Sequence, residues 1–503
     1  MPIRDCFLCL DDGHSTMSTE RDPIDAADEL LSYLERDSDV VYAETGGVFR
    51  RRRTATLDTT RSNTETDAET TGVWCRAFAN GSAGYRFTPV LTTESLQDTA
   101  NRVTRSAKNL AQDTPSSYDY GTMHRASHPG WNSDAKSFED VDPIERLQEA
   151  TSPLESTEYE RLRLSYKRDR LDISVLTTTD SAIQTTLDRG QVTASVTPPT
   201  GPKLQTHVGT TTGSGVLDRV ESEIESLADS IERRATIPVA DDRPTGEQTV
   251  VFSPNAAGQL IHHCSQFFEM DTAYAGAMPF EHGEQIGPPE LSIHDTVPAG
   301  SWAGLAYDAE GRPTQPVTLV DNGEVTSFLH SVETAIEEET SPSGNLVFPL
   351  GFEHPPRIHP RHLDVEAGST DSSTLEDGAT VRIDRIGRVS HQNEATNAKR
   401  VSGAPASALY AHNTNRLTPD EYNETHQSFQ MDIVEGYALQ DGDRVATLTD
   451  ATIAFDVTDL ASISGVGARR DTVTGTSQKH NAMFPYAVTA PTLRLRTKIT
   501  DQR

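Results

Sequence analysis

The chain has 503 residues, a formal net charge of −32 and a hydrophobic fraction of 35%. A length of this order indicates two or three domains, and the apolar content suffices for packed cores. A surface that binds nucleic acid or an anionic membrane needs a dense positive footprint, so the charge argues against both partners.

The composition also indicates the solvent in which the protein works. Only 7 of its 44 Lys and Arg residues are Lys, against 76 Asp and Glu residues. At molar salt, charges are screened within a few ångströms, so the self-repulsion of such an acidic chain is largely removed. We therefore expect a halophilic protein of the cytoplasm.

Cysteine usage and the N-terminus agree with that compartment. The chain has 4 cysteines, too few for a disulfide framework at this size. Cys6 and Cys9 have the spacing of half a zinc site, but no second pair with metal spacing follows. No segment reaches the roughly 18 apolar residues that span a bilayer, and the pattern of a signal peptide is lacking. Met17 opens a more ordinary start, so we expect residues 1–19 to be an N-terminal extension.

The next part of the chain predicts a small α/β domain at residues 20–111. Asp22 and Pro23 form a helix start, and apolar residues at helical spacing follow as far as Leu34. A second amphipathic helix is predicted between Leu96 and Leu110. Strand patterns between the two helices cover residues 40–43, 48–50, 72–79 and 84–87, with a hairpin turn at Asn80-Gly81 before the last.

A Ser-, Asp- and Pro-rich stretch then predicts a linker at residues 112–154. It leads to a central α+β domain at residues 155–235. The helix of this domain has an apolar seam from Leu217 to Ile231, with steps of 3 and 4 residues. Strand patterns precede the helix at residues 161–165, 171–175 and 191–196.

The C-terminal domain, residues 246–503, is predicted to be largely β and barrel-like, which makes the whole chain α+β. A buried strand at residues 249–252 runs into a helix that Ser253 and Pro254 cap and that continues to about Glu269. Asp321-Asn322-Gly323 marks a hairpin. The tail from Thr492 to Ile499 alternates as a half-exposed strand.

Histidines and a cysteine cluster on the capped helix as His262, His263 and Cys264. Adjacent helical residues point about 100° apart, so the three cannot face one metal ion without distortion. The simpler interpretation is a partly buried helix with polar neighbours. A metal site completed from elsewhere, by His282, His294 or His330, stays open as the alternative. No GxGxxG, Walker, GxSxG or HExxH motif occurs, so nucleotide binding and the common serine and zinc hydrolases have no local support.

Short segments of this chain, taken in order, resemble the TldD/PmbA family. PmbA is also called TldE. The resemblance covers roughly residues 20–500 and is least between 112 and 160. The segments that carry it are Gly72 to Tyr85, Pro244 to Glu247, Val250 to Ala257, Gly283 to Ile286, Leu291 to Asp295, Tyr307 to Thr314, Leu319 to Val325, Thr396 to Arg400, Thr414-Asn415, Gly436-Tyr437 and Ala490 to Leu495.

This resemblance implies a role in proteolysis. In that family, TldD is the zinc-bearing catalytic subunit of a heterodimeric peptidase, with His-Glu-x-x-x-His on a helix and a cysteine ligand in a Cys-Gly-Lys segment. PmbA is its partner and lacks this set. The complex cleaves unfolded or peptide-like substrates and trims leader peptides, and it was first named as a modulator of DNA gyrase.

Compared with that motif, this chain has lost most of the zinc site. His262 lies where the first histidine ligand would be, but His263 takes the place of the glutamate base and Phe267 that of the second histidine. Ser477 aligns with the cysteine ligand, and a serine hydroxyl is a poor zinc ligand beside a thiolate. We therefore expect no catalytic, cofactor-binding or zinc-ligand residue here, with His262, His263 and Cys264 as weak metal candidates. The chain resembles PmbA, with zinc expected in a TldD-like partner.

Three hypotheses follow. The leading one is a non-catalytic PmbA-like subunit that pairs with a TldD-like zinc chain and helps to hold a peptide or unfolded-protein substrate. The second is an independent metallopeptidase that uses His262, His263 and Cys264 with a remote carboxylate such as Glu269 or Asp271. The third is a regulatory binding protein that acts on a topoisomerase through protein contacts.

The basic run from Arg50 to Arg53 is unusual in so acidic a chain. It either seats an acidic partner surface or forms a solvated strand end that pairs with nearby carboxylates, and the second interpretation is the simpler one.

Overall fold

The structure is a computed structural model that describes residues 21–79, 82–110, 127–128, 141–273, 280–391, 428–479 and 481–501. Several predictions fall outside these ranges: the extension at residues 1–19 with Cys6 and Cys9, the turn at Asn80-Gly81, most of the linker, and the family segments at Thr396 to Arg400 and Thr414-Asn415.

The predicted helix starts are confirmed by their caps. Asp22 accepts a hydrogen bond from the Ile24 amide at 2.7 Å, and Ser253 accepts one from the Ala256 amide at 3.3 Å. The helices are α1 Pro23–Glu35, α2 Thr93–Leu110, α3 Pro143–Glu149, α4 Val220–Thr236, α5 Pro254–Ser265, α6 Met270–Ala273, α7 Val332–Glu337 and α8 Ser372–Glu376. Across the described ranges, no helix has the length and apolar character to cross a lipid bilayer.

The strands of the N-terminal half are β1 Tyr42–Asp58, β2 Thr64–Ala79, β3 Ser82–Thr88, β4 Ser127–His128, β5 Arg161–Thr177, β6 Ala182–Thr197 and β7 Leu204–Thr210. Those of the C-terminal half are β8 Gly246–Phe252, β9 Ile293–Thr296, β10 Val317–Asp321, β11 Glu324–Val325, β12 Leu346–Val347, β13 Arg357–Ile358, β14 His362–Val365, β15 Val381–His391, β16 Ser428–Gln440, β17 Asp443–Thr447, β18 Ala451–Asp456, β19 Gly465–Lys479 and β20 Ala482–Asp501.

The N-terminal half forms one seven-stranded sheet in the order β3-β2-β1-β5-β6-β4, with β7 beside β6. β1 pairs antiparallel with β5 from Glu44 to Asp58, so the expected boundary between residues 20–111 and 155–235 runs through a single sheet. The two strand patterns at residues 40–43 and 48–50 fall on the one long strand β1, which begins at Tyr42. A local apolar pattern cannot reveal such a pairing, because the partner strand lies more than a hundred residues away.

Helices cover this sheet in two separate places. α1 and α2 pack against β1 and β2 through Leu30, Val73 and Val103, whereas α4 packs against β5, β6 and β7 through Leu227 and neighbouring residues. The remaining face of β5 and β6 joins the core of the C-terminal half instead. That face therefore forms the contact between the two halves.

The C-terminal half contains the predicted barrel. In its eleven-stranded sheet, β20, β18, β16, β15 and β8 follow one another, and β8 pairs with β20 to close the ring. Closure leaves no unpaired edge within the ring. α5 contributes Ala257, Leu260 and Cys264 to the same core as the barrel residues Met431 and Phe455. The prediction of an α+β chain with a largely β, barrel-like C-terminal domain is confirmed.

The basic run on β1 pairs with carboxylates, as the simpler interpretation predicted, but it lies half-buried in the middle of the strand and not at a solvated strand end. Successive strand residues point to opposite faces. Arg53 Nε lies 2.6 Å from Glu65 Oε1 of β2, and Arg52 Nε lies 2.6 Å from Asp169 Oδ1 of β5. The run is thus tied down within the sheet on both sides.

Candidate functional site

The three candidate residues on α5 face different surroundings. His262 and Cys264 are both buried, at 5% and 2% exposure, while His263 is half-buried. Burial raises the pKa of the Cys264 thiol well above its usual value, and the charges of Asp459 and Asp456 raise it further. His262 instead has aromatic and imidazole neighbours. The structure does not bring His262 and Cys264 together, in agreement with the 100° separation of adjacent helical residues.

His262 lies at the centre of an aromatic cluster. Its ring stacks on that of Tyr486 in β20, with centroids 3.8 Å apart and planes 10° apart. The rings of His263 and His359 lie at 5.2 and 5.8 Å. Burial lowers the pKa of His262 well below its usual value, and the charges of His263 and His359 lower it further. His262 is therefore a neutral imidazole, and its buried Nδ1 has no hydrogen-bond partner in the described chain.

A partly buried ion cluster adjoins this aromatic cluster. Lys479 Nζ, at the end of β19, donates to Glu269, to Asp271 Oδ1 at 3.0 Å and to the Ile358 carbonyl at 2.9 Å. Burial raises the pKa of Glu269 to about 7, although the charge of Lys479 opposes the shift. The two carboxylates that a rearranged enzyme site would use, Glu269 and Asp271, thus serve as partners of Lys479.

His359 connects the two clusters. Its ring stacks on Phe484, with centroids 5.2 Å apart, and its Nδ1 lies 2.7 Å from the Pro360 carbonyl oxygen. Burial lowers its pKa to about 3, and the charge of Lys479 contributes. Sequence reasoning missed His359 and Tyr486, because neither stands in a motif. Lys479 could have been found, since it ends the segment that aligns with Cys-Gly-Lys.

Two of the three other histidines proposed as completing ligands have partners of their own. His294 Nδ1 lies 3.1 Å from Thr318 Oγ1 and its Nε2 lies 3.2 Å from Glu366 Oε1. His330 Nδ1 lies 3.3 Å from Thr334 Oγ1. His282 is exposed. In the described part of the chain, the ring of His262 contacts His263, His359 and Tyr486 and none of these three histidines, so they do not complete a site on α5.

The residues around His262 do not fit the zinc ion of a TldD-type site. Phe267 is buried against Phe429 and Phe280, with ring centroids 5.7 and 6.4 Å away. Ser477 lies on β19 opposite Phe484. Within the ranges that the structure covers, no group of three or more His, Cys, Asp or Glu side chains is placed to hold a metal ion. Three protein ligands are the usual minimum for a catalytic zinc.

Trp302 links this region to the N-terminal sheet. Its Nε1 donates to the Gly475 carbonyl of β19 at 2.9 Å, and its ring lies against Gly209 of β7. A Cβ on Gly475 would fall 2.5 Å from the ring of Tyr486, so β19 and the His262 cluster are in direct contact there. His207 of β7 adds a second link, since its Nδ1 lies 3.0 Å from Thr474 Oγ1.

Comparison with known proteins identifies relatives of this chain by sequence. Residues 245–500 match the model of the PmbA/TldA metallopeptidase C-terminal domain. A metalloprotease from Synechocystis is 29% identical over 175 residues, which is 34% of this chain and 37% of that protein. A metalloprotease from Methanothermobacter thermautotrophicus is 25% identical over 295 residues, 57% of each chain. The matched regions thus span 37% and 57% of those two relatives.

Solved structures share the fold over nearly the whole chain. A proposed modulator of a DNA gyrase from Thermotoga maritima has a TM-score of 0.69 and 18% identity, covering 95% of this chain and 99% of its own. TldE from Thermococcus kodakarensis has a TM-score of 0.69 and 14% identity, covering 94% and 100%. With the domain match over more than half of the residues, this chain belongs to the TldD/PmbA metallopeptidase family.

Proposed function

We propose that this chain is a PmbA-like, non-catalytic subunit of a TldD/PmbA-type metallopeptidase. In this proposal it pairs with a TldD-like chain that carries the zinc ion, and it helps to enclose and hold a peptide or unfolded-protein substrate. Family membership supports the proteolytic context. The chemistry of the α5 region supports the non-catalytic part.

The observation that carries the proposal is the setting of His262. It is the single motif position that keeps a zinc-ligand side chain, and its neutral ring is covered by Tyr486 at 3.8 Å. The positions of the second histidine and the cysteine hold Phe267 and Ser477. A zinc-bound water also needs a general base, and His263 stands where the family's glutamate would act. A subunit of this kind contributes to hydrolysis by holding substrate rather than by activating water.

We also propose a halophilic cytoplasm as the working compartment. The net charge of −32 and the shortage of Lys favour molar salt. Cys75 and Cys264 are both free and buried, which suits a reducing compartment.

Reconstitution tests the proposal. The full chain, alone and co-expressed with the TldD-like chain of the same organism, is purified in molar KCl without chelators. Zinc per chain is measured by mass spectrometry, and hydrolysis of an unfolded protein is followed by gel. We expect no zinc and no hydrolysis for this chain alone, and both for the complex.

A partner variant with both motif histidines replaced by Ala serves as the matched control and should abolish hydrolysis while leaving the complex intact. Tightly held zinc or hydrolysis by the isolated chain would favour the independent-enzyme hypothesis. Failure to bind the partner, with binding to a topoisomerase instead, would favour the regulatory hypothesis.

A further inference from the structure

Two nitrogens of a buried arginine, on the sheet face between the two halves, have no hydrogen-bond partner in the described part of the chain. Arg189 of β6 is 6% exposed, and neither its Nε nor its Nη2 has a hydrogen-bond acceptor among the described residues. Leaving a buried charge without such bonds is costly, so an unsatisfied guanidinium in a native fold calls for a ligand or another explanation.

The neighbouring carboxylate is already engaged. Asp169 of β5 lies directly opposite Arg189 in the strand register. However, Asp169 accepts two hydrogen bonds from Arg52, at 2.6 Å from Nε and 3.0 Å from Nη2, and lies 3.4 Å from Lys167 Nζ. Arg50, on the same face, also has a buried Nε without a partner in the described structure. Asp169 is thus the carboxylate beside four cationic side chains of this sheet face, in a chain whose net charge is −32. The four are Arg50, Arg52, Lys167 and Arg189.

Arg189 lies on the wall of a cavity of about 40 Å³ between the sheet and two segments of the C-terminal half, residues 305–309 and 348–352. Most of the wall is apolar, including Leu171, Leu187, Phe348 and Phe352. The wall also includes two carboxyl side chains, Asp169 and Asp308. Asp308 accepts hydrogen bonds from the backbone amides of residues 310 and 312 at 2.9 Å each. A cation at one end and a mostly apolar wall suit a ligand that carries an anionic group next to a small apolar group.

The geometry of the guanidinium narrows the class of ligand. Nε–H and Nη2–H lie on one edge and point the same way, which matches the two oxygens of a carboxylate. Arg52 holds Asp169 through these same two nitrogens a short distance away. Trp302 contacts Arg189 as well, with the guanidinium carbon 5.8 Å from its ring centroid. The ring is itself fixed by its bond to the Gly475 carbonyl.

We propose that Arg189 binds the carboxylate of a ligand whose adjoining side chain is small and apolar and enters this cavity. Two sources share this chemistry: the free C-terminus of a peptide, and a free short amino acid. Arg50 and Lys167 add positive potential without contacting the ligand. The peptide source would rest on the proposed function and would mean that the subunit recognises the end of its substrate.

Calorimetric titration of the isolated full chain in molar KCl tests the inference. The probes are alanine and acetyl-Ala-Ala-Ala, each as free acid and as amide. We expect the acids to bind at least tenfold more tightly than the amides. Tighter binding of the tripeptide acid assigns the peptide C-terminus, and equal or tighter binding of alanine assigns the amino acid. Equal binding of acids and amides, or no binding, would overturn the inference.

Binding by variants of Arg189 provides a second test of the inference. We expect R189Q to bind the acids more than tenfold more weakly than the wild type does. R189K keeps the charge but not the two parallel N–H donors of the guanidinium, and it should bind them about tenfold more weakly. Arg388, whose side chain is 80% exposed, supplies the matched control R388Q, which should bind as the wild type does. Retained binding in R189Q would overturn the inference.

Thermal unfolding separates a ligand site from a structural role. R189M removes a buried charge whose Nε and Nη2 have no acceptor among the described residues, so its melting temperature should equal or exceed that of the wild type. A clear drop would show that Arg189 serves the fold instead. None of these measurements uses the partner chain, so the inference and the proposed function can fail independently.

Discussion

The ring of His262 lies flat on the ring of Tyr486, with their centroids 3.8 Å apart. This contact joins α5 to β20. It converts a potential ligand into a neutral, buried imidazole, because the phenol ring excludes water and burial lowers the pKa of His262.

Removing this ring should expose His262. We expect Tyr486→Ala to lower the free energy of unfolding by about 2 kcal/mol, since it leaves a cavity beside the imidazole. The pKa of His262 should rise toward its ordinary value as water enters. Urea denaturation in molar KCl and NMR titration of the histidine measure the two effects. Tyr486→Phe is the matched control and should change stability by less than about 0.5 kcal/mol, because it keeps the stacked ring. An equal loss in both variants would contradict the stacking argument.

The buried pair Arg168–Asp188 should matter far more than an exposed pair. Arg168 donates to Asp188 from Nε at 2.8 Å and from Nη2 at 2.5 Å, and both side chains are almost fully buried. We expect Asp188→Asn to cost about 3 kcal/mol, because it leaves a buried guanidinium without its counter-charge. Asp98→Asn, in the exposed pair with Arg102, should cost less than about 0.5 kcal/mol. Denaturation of both variants measures the difference, and similar costs would refute the prediction.

Two buried carboxyls should make stability depend on pH. Burial raises the pKa of Glu44 and of Asp308 to about 7, from ordinary values of 4.5 and 3.8. The charge of Glu310 raises both further, whereas the charge of Arg76 lowers that of Glu44. The folded chain therefore holds more protons than the unfolded chain between about pH 4 and pH 7. The free energy of unfolding should be highest below that window and fall as pH rises through it, by about 1.4 kcal/mol per pH unit for each extra proton.

Urea denaturation at pH 5 and pH 7.5 checks this sign. Glu44→Gln and Asp308→Asn cannot titrate, so each should flatten the dependence. The exposed Glu290→Gln should leave it unchanged. A stability that rises from pH 5 to pH 7.5 because of Glu44 or Asp308 would show that the direction is wrong.

Lys479 should stabilise the fold in a pH-dependent way. It is the cation shared by Glu269 and Asp271, and burial already raises the pKa of Glu269 to about 7. We expect Lys479→Met to cost about 3 kcal/mol at pH 8, where an ionised Glu269 is left without its partner, and less at pH 6, where Glu269 takes up a proton.

Denaturation at both pH values measures the effect of Lys479. The double variant with Glu269→Gln should recover part of the loss at pH 8. Lys498→Met, at an exposed position of β20, is the matched control and should be nearly neutral at both pH values. A loss that does not change with pH would mean that Lys479 acts through packing alone.

Local patterns in the sequence were sufficient to predict the helix starts and several of the strands. The caps at Asp22 and Ser253 are side-chain contacts with residues two or three positions ahead, so the sequence contains both partners. The hairpin at Asn322-Gly323 has the positive φ angles that its residues favour. The divergence of His262 from Cys264 also follows from helix geometry alone. The fold class and the family were predictable for the same reason, since each rests on short segments in a fixed order.

The extent of the sheets was beyond the reach of local patterns. β1 joins β5 and β8 closes the ring with β20, and these partners are more than a hundred residues apart in the chain. A strand pattern states that a segment needs a partner but not which partner it has. The strand patterns of residues 20–111 and 155–235 therefore did not indicate that the two segments share one sheet.

The sequence by itself determined which side chains α5 carries and that His262 and Cys264 diverge on it, because residue identity and helix geometry are local properties. Only the tertiary structure decided what the remaining groups do. Tyr486 covers His262, Lys479 engages Glu269 and Asp271, and Arg189 lies buried with two nitrogens that no described group satisfies. Each of these facts depends on strands distant in the chain meeting in space, and burial then sets the charge state of every group involved.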